Sequence, residues 1–198
     1  MPNGFAALLS RMNYINRWGL MRNTRYETLS EHCLSVSITA HIIGVAANEK
    51  FGADVNPERI AVCAMYHDAG EILTGDMPTP VKYTNESIKS AYKKVEADAE
   101  KRLSDMLPPE LKKCISPMLS GELLSEREKR IVKAADKISA LLKCIEEEQN
   151  GNTEFRSAKQ STLKAINEDI LPEVQYFMEE FIPGYTMTLD ELLKGENL

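Results

Sequence analysis

The sequence predicts an all-α fold, and three observations carry that expectation. Apolar residues recur at helical spacing along the chain, while strand-like alternation is hard to find. Capping-type side chains stand where the apolar runs begin, at Thr28, Asn56, Asn85 and Ser125. The 198 residues are 43% apolar and 27% charged, a balance that supports a packed globular body.

Each element follows from its own residues. Phe5, Leu8, Leu9, Met12 and Ile15 mark a first helix. Thr28 and Glu31 have capping-box spacing and open a second, carrying Leu34, Ile38, Ile42 and Val45 and stopping near Gly52. Asn56 then Pro57 reads as an N-cap with Pro at the first helical position. That helix holds Ile60, Cys63, Ala64 and His67 and ends by Gly75. Pro78 and Pro80 make the segment MPTPVKY an expected rigid, extended connection. Asn85 caps a long amphipathic helix with Ile88, Tyr92, Val95, Ala99 and Leu103, ended by Pro108 and Pro109. A short helix follows around Leu111 to Leu119. Ser125 and Glu128 form a further capping box, starting a helix with Ile131, Ala135, Ile138, Leu142 and Ile145 that Gly151 and Asn152 break. Segments around Phe155 to Ile170 and Val174 to Phe181, separated by Pro172, complete the body, and Thr188 with Glu191 caps a last turn. The expectation is one helical-bundle domain over residues 1–198.

Composition narrows the function. Twenty-four Lys and Arg against 30 Asp and Glu give a net charge of −6, which argues against broad nucleic-acid or anionic-membrane binding. No apolar run approaches the ~20 residues of a membrane span, and the N-terminus lacks the apolar core of a secretion signal. A cytoplasmic location is expected. Cys33, Cys63, Cys114 and Cys144 form no CxxC pair, so free thiols are expected rather than a zinc knot or disulfide framework.

The candidate chemistry lies in four distant residues. His67 and Asp68 sit in the apolar stretch AVCAMYHDAGEIL, and a carboxylate there must be paired or bound to metal. Glu71 follows His67 by four residues, which places His67, Asp68 and Glu71 on one expected helix surface. His32 lies in the first turns of the preceding helix, and Asp136 lies near the apolar edge of the Ser125 helix. Two imidazoles and two carboxylates make a mixed N/O donor set that suits Mn²⁺, Co²⁺, Fe²⁺ or Zn²⁺. His41 follows His32 by nine residues, and nine steps of about 100° turn it half a revolution away. The remaining ligands suffice for one ion.

At these residues the sequence resembles the HD-domain metal-dependent phosphohydrolases, whose signature here is His32, His67-Asp68 and Asp136. The stretches Ile15 to Trp18, Leu20 to Asn23, Ser30 to His32, Ala64 to Asp68, Leu73 to Asp76, Pro78 to Tyr83 and Leu142 to Cys144 are similar to the bacterial 5′-deoxynucleotidase family of the YfbR type, over almost the whole chain. The resemblance implies a homodimeric hydrolase of deoxyribonucleoside 5′-monophosphates that discriminates against ribonucleotides, with one divalent Co²⁺, Mn²⁺ or Cu²⁺ ion per chain. It assigns His32, His67, Asp68 and Asp136 to the metal and Glu71 to general-base work. Arg17 would grip the phosphate. Trp18, His32, Asp76, Met77, Pro78, Thr79 and Asp136 complete the substrate set, with Asp76 and Thr79 on the deoxyribose side. Gly19 stands where such relatives would carry proline, which leaves the backbone after Trp18 freer. No base-specific reader stands out, so broad tolerance of base is expected.

Three alternatives remain open on sequence. One is an HD phosphohydrolase for deoxynucleoside triphosphates, cyclic dinucleotides or alarmones, against which the count of three histidines and the acidic charge weigh. The others are a non-catalytic helical regulator and a deoxynucleotide-binding module. For a dimer surface, the helix with Tyr92 and Val95 and the segment with Tyr176, Phe177 and Phe181 are candidates, though such segments are more often plain core.

Overall fold

Phe5–Leu9 forms α1, which tightens into a 3-10 turn over Ser10–Tyr14. The structure, a computed structural model, describes residues 2–82, 84–168 and 170–194. The first helix ends before Ile15, short of the sequence expectation. Ile15 is extended (φ −93°, ψ 113°), because long-range pairing competes with the next helical turn. Leu29 N–H donates to the Ile15 carbonyl at 2.8 Å and Arg17 N–H to the Glu27 carbonyl at 2.9 Å. This pairing, with the isolated antiparallel bridge Asn16 to Thr28, folds residues 17–27 into a loop closed at its base.

Leu29–Phe51 forms α2, opened by both arms of the Thr28–Glu31 capping box and closed by Gly52 in the left-handed region at φ 62°. The inward face is not the one that the sequence singled out. Leu34 and Ile38 are 57% and 54% exposed, and Val45 is exposed too. Val36, Ala40, Ile43 and Ala47 are buried instead. The helix is apolar almost all round, so periodicity alone could not choose a face. Small side chains won because the next helix packs close: a Cβ on Gly44 would sit 3.3 Å from Pro57 Cα. By length and composition alone α2 is also long and apolar enough to cross a membrane, although Ser, Thr, Glu and His residues interrupt its apolar run. Its buried face nonetheless forms the centre of the helical core.

Pro57–Tyr66 forms α3, capped by Asn56, and Glu71–Thr74 forms the short α4. The single helix expected through His67 to Gly75 is therefore interrupted. His67 caps α3, and its Nδ1 turns back on the Ala64 carbonyl at 2.7 Å. Thr79–Lys82 forms α5, a helical turn where the sequence predicted only an extended link. Pro80 lies in its first turn, where its missing N–H costs nothing, and Val81 and Lys82 donate to the Pro78 carbonyl at 2.8 and 3.0 Å. Tyr83, the end of that motif, lies outside the described residues.

Glu86–Asp105 forms α6 from its Asn85 cap, and Pro109–Leu119 forms α7. Glu126–Gln149 forms α8, again with a complete capping box, Ser125 to Glu128. Arg156–Asn167, Pro172–Glu180 and Leu189–Lys194 form α9, α10 and α11. Thr188 and Glu191 exchange capping hydrogen bonds at the last, as predicted.

The main core joins α2 and α3 to Ile131, Ala135, Ile138 and Leu141 of α8 and to Val174 and Phe177 of α10. A smaller one joins Phe5, Ala69, Leu103, Leu107 and Leu119. Each of the two sequence candidates for a dimer surface is part packed and part exposed, with Val95 and Phe181 on the exposed side. Tyr92 and Phe177 are buried, and Phe177 stacks on Phe181 at 4.9 Å. Among the described residues every regular segment is helical.

Candidate metal centre and substrate cavity

The capping box fixes where α2 begins, and so places His32 on its buried side one turn in. The His32 Nδ1 lies 3.0 Å from the Ser139 Oγ of α8. His67 comes from the end of α3 and its Nδ1 is also engaged, on a carbonyl that can only accept. Nδ1 of His67 therefore carries a proton in either charge state, and Nε2 is the nitrogen turned toward the site. Asp68 follows in the turn, and Asp136 rises from α8 one turn before Ser139.

These residues converge. Asp68 Oδ2 lies 3.1 Å from His67 Nε2 and 3.6 Å from His32 Nε2. Asp136 Oδ1 lies 3.2 Å from His32 Nε2. Donor atoms of His32, His67 and Asp68 all fall within 4.8 Å of one another. Asp136 stands just outside that tight group and joins it through His32. Both Nε2 atoms are buried and neither is aligned for a hydrogen bond despite the nearby oxygens. Close approach without hydrogen-bond alignment is what ligands aimed at a common point produce. The donor set is that of a borderline divalent ion, and the residues fit one. His41 is not in the group among the described residues.

The electrostatics agree. Burial opposes the charged forms of His67 and Asp68, yet their mutual attraction wins. It holds His67 well above and Asp68 well below the ordinary range. Burial likewise opposes an ionised Asp136, but His32 and His67 pull its carboxyl down. Glu71, at the start of α4, is buried with Oε2 unpartnered. Burial first, then repulsion from Asp68 and Asp76, pushes its carboxyl up to about 9. Thus Glu71 reaches the cluster from a separate helical turn rather than from the one continuous helix that the sequence predicted.

A cavity of about 820 Å³ opens beside the cluster, with Asp136 in its wall. Arg17 and Trp18 line it from the 17–27 loop. Arg17 Nη1 lies 3.5 Å from Asp68 Oδ2. Burial works against the Arg17 charge, but Glu27, Asp136, Asp68 and Asp76 more than restore it. Trp18 has φ 60°, the one positive value on a non-glycine among the described residues. Its backbone N–H faces the Asp76 carboxylate, whose own ionisation burial makes harder. Asp76 and Pro78 form part of the wall, as does Pro80. Met77 is half-buried but is not part of the described lining. The Thr79 side chain lies outside what the structure describes.

Sequence reasoning missed the opposite wall. Lys137 and Ala140 of α8 and Ser157, Ser161 and Thr162 of α9 line it. Small and hydroxyl residues on an amphipathic helix carry no motif, so only the packing of α9 on α8 brings them here. It also missed Ser139 and Glu27, neither of which has a sequence signal beyond burial.

Known proteins share this arrangement of helices. Residues 4–185 match the family described as 5′-deoxynucleotidase YfbR-like. A 5′-deoxynucleotidase YfbR of Escherichia coli is 49% identical over 197 residues, 98% of each chain. A 5′-deoxynucleotidase of Erwinia tasmaniensis is 48% identical over 188 residues, 95% of each. Among solved structures, an HD-domain phosphohydrolase from Listeria innocua superposes with TM-score 0.79 at 26% identity, covering 91% of this chain and 87% of that one. The cyanophage S-2L HD phosphohydrolase DatZ, bound to dA and one catalytic Zn²⁺, superposes with TM-score 0.61 at 21% identity over 92% and 96% of the two chains. That last likeness is one of fold.

Proposed function

The chain belongs to the YfbR-like 5′-deoxynucleotidase family, and from that premise we propose that it hydrolyses deoxyribonucleoside 5′-monophosphates to deoxynucleoside and phosphate. The observation that carries the reading is the pair of buried, unpartnered Nε2 atoms of His32 and His67, grouped with Asp68 beside a cavity walled by Arg17 and Asp136. His32, His67, Asp68 and Asp136 would hold one divalent ion, with Co²⁺, Mn²⁺ or Cu²⁺ the favoured identities and Zn²⁺ or Fe²⁺ compatible with the donors. Such an ion supplies charge neutralisation at the phosphoryl oxygens and a more acidic water.

The chain's own residues do the rest. Arg17 offers a planar fork to the phosphate, already buried beside Asp68. Glu71 takes the proton of the attacking water. Its carboxyl is held neutral by burial and by Asp68, and positive charge beside Asp68 relieves that repulsion and frees it to ionise. Trp18 and the wall of Asp76, Met77, Pro78 and Thr79 confine the sugar, with Asp76 and Thr79 on the deoxyribose side. A wall stiffened by prolines leaves a 2′-hydroxyl crowded and unsatisfied, so ribonucleotides are rejected. The base faces the small residues of α9, which tolerate any base.

We further take residues 1–198 as one catalytic domain and the enzyme as a cytoplasmic homodimer. The free Cys33, Cys63, Cys114 and Cys144 support a reducing compartment. The exposed stripe Leu34, Ile38 and Val45 on α2 supports a covered face. The test is phosphate release from dAMP and dTMP with added Mn²⁺ or Co²⁺. Turnover of both deoxynucleotides with little from AMP is expected. Equal turnover of AMP ends the sugar assignment, and none at all ends the enzymatic one.

A further inference from the structure

We propose that Glu27 is a positioning residue for the phosphate end of the site: one buried carboxylate holds both the Arg17 guanidinium and the Trp18 indole, and so sets affinity for the 5′-phosphate without touching substrate. The role assigned to Arg17 rests on the function proposed above. The contact geometry does not.

Glu27 is only 8% exposed. A single oxygen, Oε2, accepts from Arg17 Nε at 3.2 Å and from Trp18 Nε1 at 3.0 Å. A guanidinium pinned through Nε has its two terminal nitrogens left to face elsewhere. Here Nη1 is turned toward Asp68, at the edge of the metal cluster. Arg17 is drawn by Asp68, Asp76 and Asp136 as well as by Glu27. Without the Glu27 anchor, it is free to collapse onto the metal-ligand carboxylates instead of waiting for phosphate. Preorganisation of a long, flexible side chain is worth affinity because its ordering cost is met before binding.

The Trp18 contact points the same way. A left-handed backbone at a bulky residue persists only where surroundings over-determine it. The indole is fixed at one edge by Glu27 and packs on Phe155 at a centroid distance of 5.3 Å. The course of the loop does not need the Glu27 side chain, since Arg17 N–H already donates to the Glu27 carbonyl. The carboxylate is thus spent on two side chains that both line the cavity.

Trp18 is the only tryptophan, so intrinsic emission reports on this contact directly. The experiment is Glu27→Gln, an isosteric change that removes the charge, with dAMP titrated against Trp18 emission in the presence of Mn²⁺. The apo emission of the variant is expected to shift. Its Kd and KM for dAMP rise about 10-fold or more, the scale of one lost charge-assisted bond. Its kcat changes by less than about threefold, because no transition-state contact is lost, and Mn²⁺ affinity is retained. In an Arg17→Ala background the same change adds less than about twofold, since Glu27 acts through Arg17. Glu27→Asp, which keeps the charge, recovers part of the affinity. Unchanged affinity overturns the proposal, as does a loss that adds in full to that of Arg17→Ala. Loss of Mn²⁺ binding together with dAMP binding overturns it too, marking a mere prop of the fold. A wild type that binds dAMP without hydrolysing it ends the enzymatic reading and leaves the titration to judge Glu27. If dAMP does not bind, inorganic phosphate is titrated in its place, and a wild type that binds neither overturns both.

Discussion

Glu71 departs far from the ordinary behaviour of a carboxylic acid. A carboxyl buried beside Asp68 and Asp76 holds its proton up to about 9, against an ordinary value of 4.5. A folded pKa raised in an acid means that the native state binds more protons than the unfolded one between those limits. Stability then falls as pH rises through that window. For the metal-free protein the expected slope from this one group is up to about 1.4 kcal/mol per pH unit between pH 5 and 9. Glu71→Gln, which mimics the neutral form, removes that slope, as urea denaturation of the apo protein at several pH values will show. In the loaded enzyme the same variant is expected to lose about 10²–10⁴-fold in turnover while still binding dAMP. A variant with normal turnover ends the general-base role. The general-base role followed from the family resemblance, and the sequence placed Glu71 near His67 and Asp68, but it could not say that its second oxygen is buried without a partner.

At the scale of elements, caps were readable and faces were not. Thr28, Asn56, Asn85 and Ser125 each accept from the N3 backbone as their spacing implied, because a cap is a local bargain between neighbours in sequence. The inward side of α2 depends on how near α3 can come, and the break at His67 on a ring turned back to Ala64. Both are outcomes of packing. The 17–27 loop is the element that matters most to the site, and α8 holds it down. Fully buried Glu147 accepts from Thr24 N–H at 2.9 Å, Thr24 Oγ1 at 2.8 Å and Asn152 Nδ2 at 2.7 Å, and from Lys143. Burial opposes its charge, but Lys143, Asn152 and Thr24 outweigh that and bring its carboxyl down to about 2. A depressed folded pKa gives stability that is present above pH 4.5 and is lost as pH falls toward 2. Glu147→Ala leaves the buried Lys143 with the Arg25 carbonyl but without its carboxylate partner, and is expected to cost about 3–5 kcal/mol. It should also blunt the acid transition of the wild type. Thermal melts at pH 7 and pH 3 check both, and equal stability of variant and wild type at pH 7 removes the clamp.

Across the fold, the site is a place where α2, the α3–α4 turn, α8 and the N-terminal loop meet, and the carboxylates sent in outnumber the cationic side chain, Arg17, that the loop supplies. Asp68, Asp136, Glu71 and Asp76 crowd the same volume, and two imidazole nitrogens there lack partners. Of the four candidate ligands, His67 and Asp68 could be picked from sequence as ionisable groups in an apolar run, and His32 and Asp136 by their helix positions and the family signature. Their convergence could not, since it depends on α2 and α8 packing side by side. A fold that gathers like charge in this way is stabilised by what neutralises it, through binding to the native state alone. At a free ion concentration 100 times the dissociation constant that linkage is worth about 2.7 kcal/mol. For a chain of 198 residues it corresponds to a rise of about 5–10 °C in Tm. Chelation with EDTA is therefore expected to lower Tm by that amount, and added Mn²⁺ or Co²⁺ to restore it in a concentration-dependent way. Asp136→Asn, which removes a candidate ligand charge from α8, should shrink the metal-induced shift and also lower the metal-free Tm, because His32 and His67 hold the Asp136 carboxyl down and so favour its charged form in the folded state. A Tm indifferent to both chelator and ion would mean that the cluster holds no metal, and would take with it the chemistry built on those four residues.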